Sequence, residues 1–192
     1  SFEEPVTQAT LKVVGAFLGL SRDRANARRF PSIHPLESWS KYRSFIPVEK
    51  VNKARDILFK FSEVHQMMMV VGEEGTSIED FEVYLKAEFL DAVYLQQNAF
   101  DKVDAASSPD RQTYVFEKVH AILSREFKYK DKEDARAFFN TLRQAFIDWN
   151  YIAMDNPAFK KQELLIDGLI EERSRLMVAE QPEKSLVELS KE

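Results

Sequence analysis

From Pro47 to Ala179 apolar residues return every three or four positions, and this spacing restricts the fold more than any other feature of the chain. Val51, Ala54, Leu58, Phe61, His65 and Met68 predict a first long helix that Gly72 stops. Thr76, with Glu79 three residues on, has capping-box spacing and predicts the start of a second helix with Ile78, Phe81, Leu85, Phe89 and Ala92 on its apolar face. That helix is expected to end near Gln97, with Asn98 in the left-handed stop position. Ser108-Pro109 is an N-cap followed by proline at the first helical position, and Val115, Val119, Ile122 and Glu126 line the helix behind it. Asp131 caps a strongly amphipathic helix carrying Phe138, Leu142, Ala145, Trp149 and Ile152, ended by Asn156-Pro157. A last helix is predicted over about Lys160 to Ala179. Five helices on short connections make a bundle.

The first 45 residues obey different rules. Leu11–Leu20 is apolar and partly β-branched, which suits a short buried strand or a helix. Ser21–Arg29 reads as a short polar helix with Ser21 as N-cap. In Phe30-Pro31-Ser32-Ile33-His34-Pro35-Leu36 the two prolines force extended geometry on the residues before them, which excludes regular structure. The predicted class is mainly α: a C-terminal helical bundle behind a short remnant of strand, short helix and loop. The boundaries are 1–45, 46–180 and a polar tail over 181–192.

Composition excludes several functions. With 27 basic against 32 acidic residues the chain lacks the basic excess of a nucleic-acid binder. Without cysteine it has no disulfide framework and no thiolate metal site. Its longest apolar runs, Val13–Leu20 and Met67–Val71, fall far short of the roughly 18 residues that a membrane span needs. The opening Ser1-Phe2-Glu3-Glu4-Pro5 carries no signal-peptide pattern and reads as a piece of a longer, cytoplasmic protein.

Catalytic equipment is absent from the residue pattern. Gly15/Gly19 and Gly72/Gly75 have neither the spacing nor the following lysine of a phosphate loop. His34, His65 and His120 are isolated and read as structural, no metal ligand is assigned, and Met67-Met68-Met69 reads as core filler. Glu73, Glu74, Glu79 and Asp80 read as a solvated tip between two helices. Two segments carry more: Arg28-Arg29-Phe30-Pro31-Ser32-Ile33 holds an aromatic at a rigid turn, and Tyr94-Leu95-Gln96-Gln97-Asn98-Ala99-Phe100-Asp101 is an amide-rich helix end followed by another. Two such aromatics either sandwich a planar ligand or are ordinary core phenylalanines.

These segments resemble the catalytic A (alpha) subunit of the V-type, or A-type, rotary ATP synthases. Glu4-Pro5-Val6-Thr7-Gln8-Ala9-Thr10-Leu11, Arg29-Phe30-Pro31-Ser32-Ile33, Ser38-Trp39-Ser40-Lys41-Tyr42 and Tyr94 through Phe100 are similar to four motifs of that family, in its order and spacing. His34-Pro35-Leu36-Glu37-Ser38 departs from the family's usual Asn-Trp and marks a bacterial-like branch. An F-type β relative is disfavoured by Gln96-Gln97-Asn98, and a non-catalytic helical scaffold is the remaining alternative.

The resemblance implies that Phe30 and Phe100 form the adenine pocket with Gln97 at its edge. It implies that residues 1–45 close the nucleotide-binding α/β domain, and that Glu73, Glu74, Glu79 and Asp80 face the rotor. ATP or ADP and magnesium are the implied cofactors, with the magnesium ligands, the phosphate loop and the general base outside this chain. The fragment alone is therefore expected to be inactive. The implied partners are a non-catalytic B subunit in an alternating hexamer and a central rotor stalk, in a soluble head peripheral to the membrane. Neither nucleic acid nor membrane insertion is expected. The whole subunit would couple ATP hydrolysis or synthesis to proton or sodium translocation.

Overall fold

A computed structural model describes residues 3–179, so the tail expected over 181–192 lies outside the described residues. The described residues are mainly helical with one two-stranded sheet. Contacts divide the chain after Ser124 into two units.

The first unit begins with α1 (Pro5–Val13), which Pro5 leads in its first turn and which buries none of its residues. Of Leu11–Leu20, where a short buried strand or a helix was expected, Leu11–Val13 closes this helix and Ala16–Phe17 is a two-residue strand that is not buried. A short antiparallel pair follows, β1 (Ala16–Phe17) against β2 (Trp39–Ser40), with Phe17 opposite Trp39. Between the strands lies α2 (Arg22–Asn26), capped as predicted by the Ser21 hydroxyl, which accepts from the Arg24 N–H at 3.2 Å.

Helix α3 (Val48–Val71) forms a hairpin with α4 (Ile78–Leu90), and α5 (Pro109–Ser124) packs on both. Ala54, Ile57 and Val64 are the buried residues of α3, so its inward face is rotated from the predicted one, and His65 is exposed, stacked on Phe61 and Tyr84. Phe81, Leu85 and Phe89 of α4 and Val115, Val119 and Ile122 of α5 are buried as their spacing predicts. Glu126 lies beyond the end of α5 and is exposed.

The turn between α3 and α4 needs both its glycines. Gly72 sits at φ 76°, and a Cβ on Gly75 would stand 2.8 Å from the Val71 carbonyl oxygen. Thr76 is not the cap of α4. Its buried hydroxyl donates back to the Gly72 carbonyl at 3.0 Å, and Ser77 caps instead, accepting from the Asp80 N–H at 3.1 Å. At its far end α4 widens into a π turn over Asp91–Leu95, and Gln96 leaves in extended geometry. Asn98 therefore takes no left-handed stop; among the described non-glycine residues positive φ belongs to Arg28, at 56°.

The second unit is the hairpin of α6 (Lys132–Asn150) and α7 (Pro157–Ala179). Asp131 caps α6 as predicted, accepting from the Asp134 N–H at 2.8 Å. Helix α6 stops at Asn150, short of Ile152, and Asn156 belongs to the next element: its side chain accepts from the Ala158 N–H at 2.9 Å at the start of α7. Phe138, Phe139, Leu142, Phe146 and Trp149 of α6 are buried together with Phe159 and Ile166 of α7. Trp149 is fully buried, its ring 4.8 Å from that of Phe159 and its indole N–H donating to the Phe159 carbonyl at 3.1 Å.

Candidate functional site

The two segments singled out in the sequence meet in the first unit. The stretch from Leu20 to Ile33 closes on itself: Leu20 and Ile33 pair across an antiparallel bridge, and the Ser21 N–H donates to the Ser32 carbonyl at 2.8 Å. Within this loop, α2 and the left-handed Arg28 turn the chain so that the Arg29 N–H reaches the Arg24 carbonyl at 2.8 Å. Phe30 follows, joined to Pro31 by a cis peptide bond and 53% exposed.

The π turn brings the second segment to it. The Gln97 N–H donates to the Phe30 carbonyl at 2.7 Å, so backbone joins backbone where the aromatic turn and the amide-rich segment approach. The Gln97 side chain donates to the Asp104 carbonyl at 2.9 Å. Asn98 and Asp101 then organise the following loop, Asn98 accepting from the Phe100 N–H at 3.0 Å and Asp101 from the N–H groups of Val103 and Asp104 at 2.9 Å. This leaves Phe100 99% exposed on a loop whose backbone is hydrogen-bonded.

Neither Phe30 nor Phe100 is a core residue; each presents an aromatic face to solvent. Such faces suit the flat, weakly polar surface of a purine, since stacking needs area and no particular edge. Nearby, desolvation raises the Asp104 carboxyl above its usual range and lowers the Arg111 guanidinium below its own. A cleft of about 790 Å³ opens alongside, walled by Arg24, Arg29, Arg55, Phe59, Glu88 and Asp91, while Phe30, Gln97 and Phe100 stand outside its wall.

The acidic residues sit apart from these aromatics. Glu73 and Glu74 are exposed in the α3–α4 turn, and Glu79 and Asp80 fall in the first turn of α4. The whole of α4, about 20 Å at 1.5 Å per residue, separates that turn from Asp91.

Sequence reading passed over one group at this site. Asp91 is buried, 4% exposed, and its carboxylate accepts from Arg24, from Arg29 Nη1 at 2.7 Å and from Gln96 Nε2 at 2.9 Å. The available signal was a lone acid inside the apolar run Phe89-Leu90-Asp91-Ala92-Val93, where a charge is stable only when paired.

A family profile described as the C-terminal domain of V and A type ATP synthase matches residues 47–148. The chain belongs to that family. The V-type ATP synthase alpha chain of Treponema denticola is 57% identical over 169 residues, 88% of this chain and 28% of the relative. That of Borrelia turicatae is 56% identical over 170 residues, 88% of this chain and 30% of the relative. The chain thus spans under a third of the length of these relatives. A solved structure of a unique ATP synthase subunit, NeqB, from Nanoarcheaum equitans covers 66% of this chain and 32% of its own at a TM-score of 0.55, a likeness of fold at 18% identity. Within this V/A-type chain the profile takes in Asp91, Gln97, Phe100 and the acidic turn, while Arg24, Arg29 and Phe30 precede it.

Proposed function

We propose that this chain is the closing part of the catalytic subunit of a V-type ATP synthase and supplies the adenine contacts and the rotor-facing helical domain. One observation carries the reading. Two exposed aromatics, Phe30 and Phe100, stand on separate segments that the Gln97 N–H···Phe30 carbonyl bond of 2.7 Å joins. Core phenylalanines would be shielded from water; these are available to a base. Residues 1–45 are then the end of the nucleotide-binding domain, 46–180 the helical domain and 181–192 a polar tail.

ATP or ADP is the ligand, held here by its base alone. The phosphates and magnesium need backbone amides and a lysine that this stretch lacks. The isolated chain accordingly hydrolyses no ATP. The turn carrying Glu73, Glu74, Glu79 and Asp80 faces the central stalk, and α4 links that turn to the adenine segment as a rigid rod. A B subunit alternates with it in the hexamer of a head peripheral to the membrane on the cytoplasmic side, and the assembly moves protons or sodium. Among the described residues no helix is long and apolar enough to cross a membrane.

Phe30→Ala and Phe100→Ala in the whole subunit test the pocket. Each removes stacking of roughly 1–3 kcal/mol, which is about a five- to 150-fold loss of ATP affinity, with folding intact. Unchanged affinity in either well-folded variant moves the adenine elsewhere.

A further inference from the structure

We propose that Asp91 is a positioning residue for the nucleotide pocket, a latch that holds the Phe30 turn in register with the Gln97–Phe100 segment. Its consequence for ATP rests on the adenine reading above. The latch itself rests on a closed circuit of bonds. From Asp91 one arm runs to Arg24 on α2, and the Arg24 carbonyl accepts from the Arg29 N–H at 2.8 Å. Arg29 returns a second arm to Asp91 at 2.7 Å and is followed directly by Phe30. The Phe30 carbonyl accepts from the Gln97 N–H at 2.7 Å. Gln96, the residue before it, closes the circuit twice on Asp91: its side chain reaches the carboxylate and its N–H reaches the Asp91 carbonyl, both at 2.9 Å.

A circuit fixes orientation as well as distance, which a single ion pair does not. The π turn is part of it. Its i-to-i+5 bond from Gln96 to Asp91 carries one residue more than an α turn would, and sets the Gln96 amide over the carboxylate. The left-handed backbone at Arg28 is a second sign. A non-glycine residue holds that conformation only where its surroundings enforce it, and here the two arginines that Asp91 gathers lie on either side. Burial strengthens each arm, because a carboxylate shielded from water binds guanidinium donors more firmly than one in solvent. Asp91 is thus committed to its partners, and the Phe30 turn is committed with it.

The experiment compares Asp91→Asn, Arg29→Met and Phe30→Ala, following amide exchange in the 192-residue chain and ATP kinetics in the whole subunit. Loss of the latch accelerates exchange of the Gln97 and Ser21 amides by about tenfold or more, while Val119 in the core of α5 keeps its protection. ATP KM rises about fivefold or more with kcat within about twofold, because the base is bound less well and the phosphate chemistry is untouched. A merely stabilising ion pair would lower the unfolding temperature and leave this split absent. Asp91→Asn leaves Arg24 without its carboxylate, while Arg29 keeps Glu88 at 3.5 Å; if it unfolds the chain, Arg29→Met decides, since Arg29 is half-buried and its loss leaves Asp91 paired with Arg24. Unchanged Gln97 protection in folded Arg29→Met overturns the latch. So does unchanged KM in Arg29→Met when Phe30→Ala raises it. Unchanged KM in Phe30→Ala refutes the adenine reading instead, and the exchange result still judges the latch.

Discussion

Between Val14 and Ile46 Gly19 is the one buried residue, whereas α6 by itself buries Ala135, Phe138, Phe139, Leu142, Ala145, Phe146 and Trp149. The earlier stretch is held by directed polar bonds. Arg55 on α3 donates to the carbonyls of Pro35 at 2.9 Å, Leu36 at 2.7 Å and Ser38 at 3.3 Å. Ser38 Oγ accepts from the Gly19 N–H at 3.0 Å, and Lys41 closes on Gly15 at 2.7 Å. The α6–α7 hairpin is held by aromatic area, which tolerates small rotations because burial has no direction. A loop proposed to present Phe30 to a ligand gains from bonds that fix an angle. A helical hairpin that need only stay folded gains more from area.

The largest expected effect falls on the hairpin. Trp149→Ala removes a fully buried indole and its bond to Phe159, and costs about 3–5 kcal/mol. Urea unfolding followed by helical circular dichroism measures it; a loss under about 1 kcal/mol would mean the hairpin is not built on that ring.

Arg55→Met sharpens the contrast from the other side. It removes donors to three carbonyls and costs about 2 kcal/mol locally, since bonds from a charged donor are worth roughly 1.5–3 kcal/mol. Trp39 in β2 is 37% exposed, so fluorescence from a chain whose only tryptophan is Trp39 reports the local melting. The Trp39 transition should move to lower urea while a chain keeping Trp149 alone retains its midpoint. Parallel movement of both would merge the two regimes into one.

How much could be read from the sequence follows the same division. The helices after Pro47 were legible because burial writes a period into the chain, and Phe81, Leu85, Val119, Leu142 and Trp149 fall on the buried faces that the period assigns. Their ends were harder. Thr76 and Ser77 are both competent caps, and only the tertiary turn decides that Thr76 bonds back to Gly72 while Ser77 caps. At the candidate site the aromatic and amide segments stood out in the sequence, but the contacts of Asp91 did not. Asp91 lies more than sixty positions from both Arg24 and Arg29, and no local period records such a contact.

Acid separates the regions by a smaller amount. Arg173 grips Asp134 with two bonds, of 2.7 and 2.9 Å, and stands over the Phe138 ring. The hydrogen bonds from Arg173, aided by the Lys130 N–H, hold the Asp134 carboxyl down at about 2. A carboxyl depressed in the folded state stabilises above its unfolded value near 4 and loses that contribution as pH falls toward 2. Discounted for partial exposure, the loss is about 1–2 kcal/mol. Arg173→Met should remove the slope between pH 4 and 2, and an unchanged slope would assign acid sensitivity to other groups.

The smallest stability effect is expected at the residue with the largest expected functional one. Phe100 is 99% exposed, so its ring shelters nothing, and Phe100→Ala should change stability by no more than about 0.5 kcal/mol. The loop beneath it is organised by Asn98 and Asp101 through bonds to main-chain N–H groups, which the substitution leaves in place. An exposed phenylalanine on so ordered a loop adds nothing to the core, as the proposed contact with a base requires. Thermal unfolding and ATP affinity measured together on Phe100→Ala separate the two roles. Stability kept and affinity lowered about five- to 150-fold gives the ring to the ligand. Stability lowered by more than about 1 kcal/mol with affinity kept would return Phe100 to the fold, and with it the claim that directed bonds rather than buried area organise this end of the molecule.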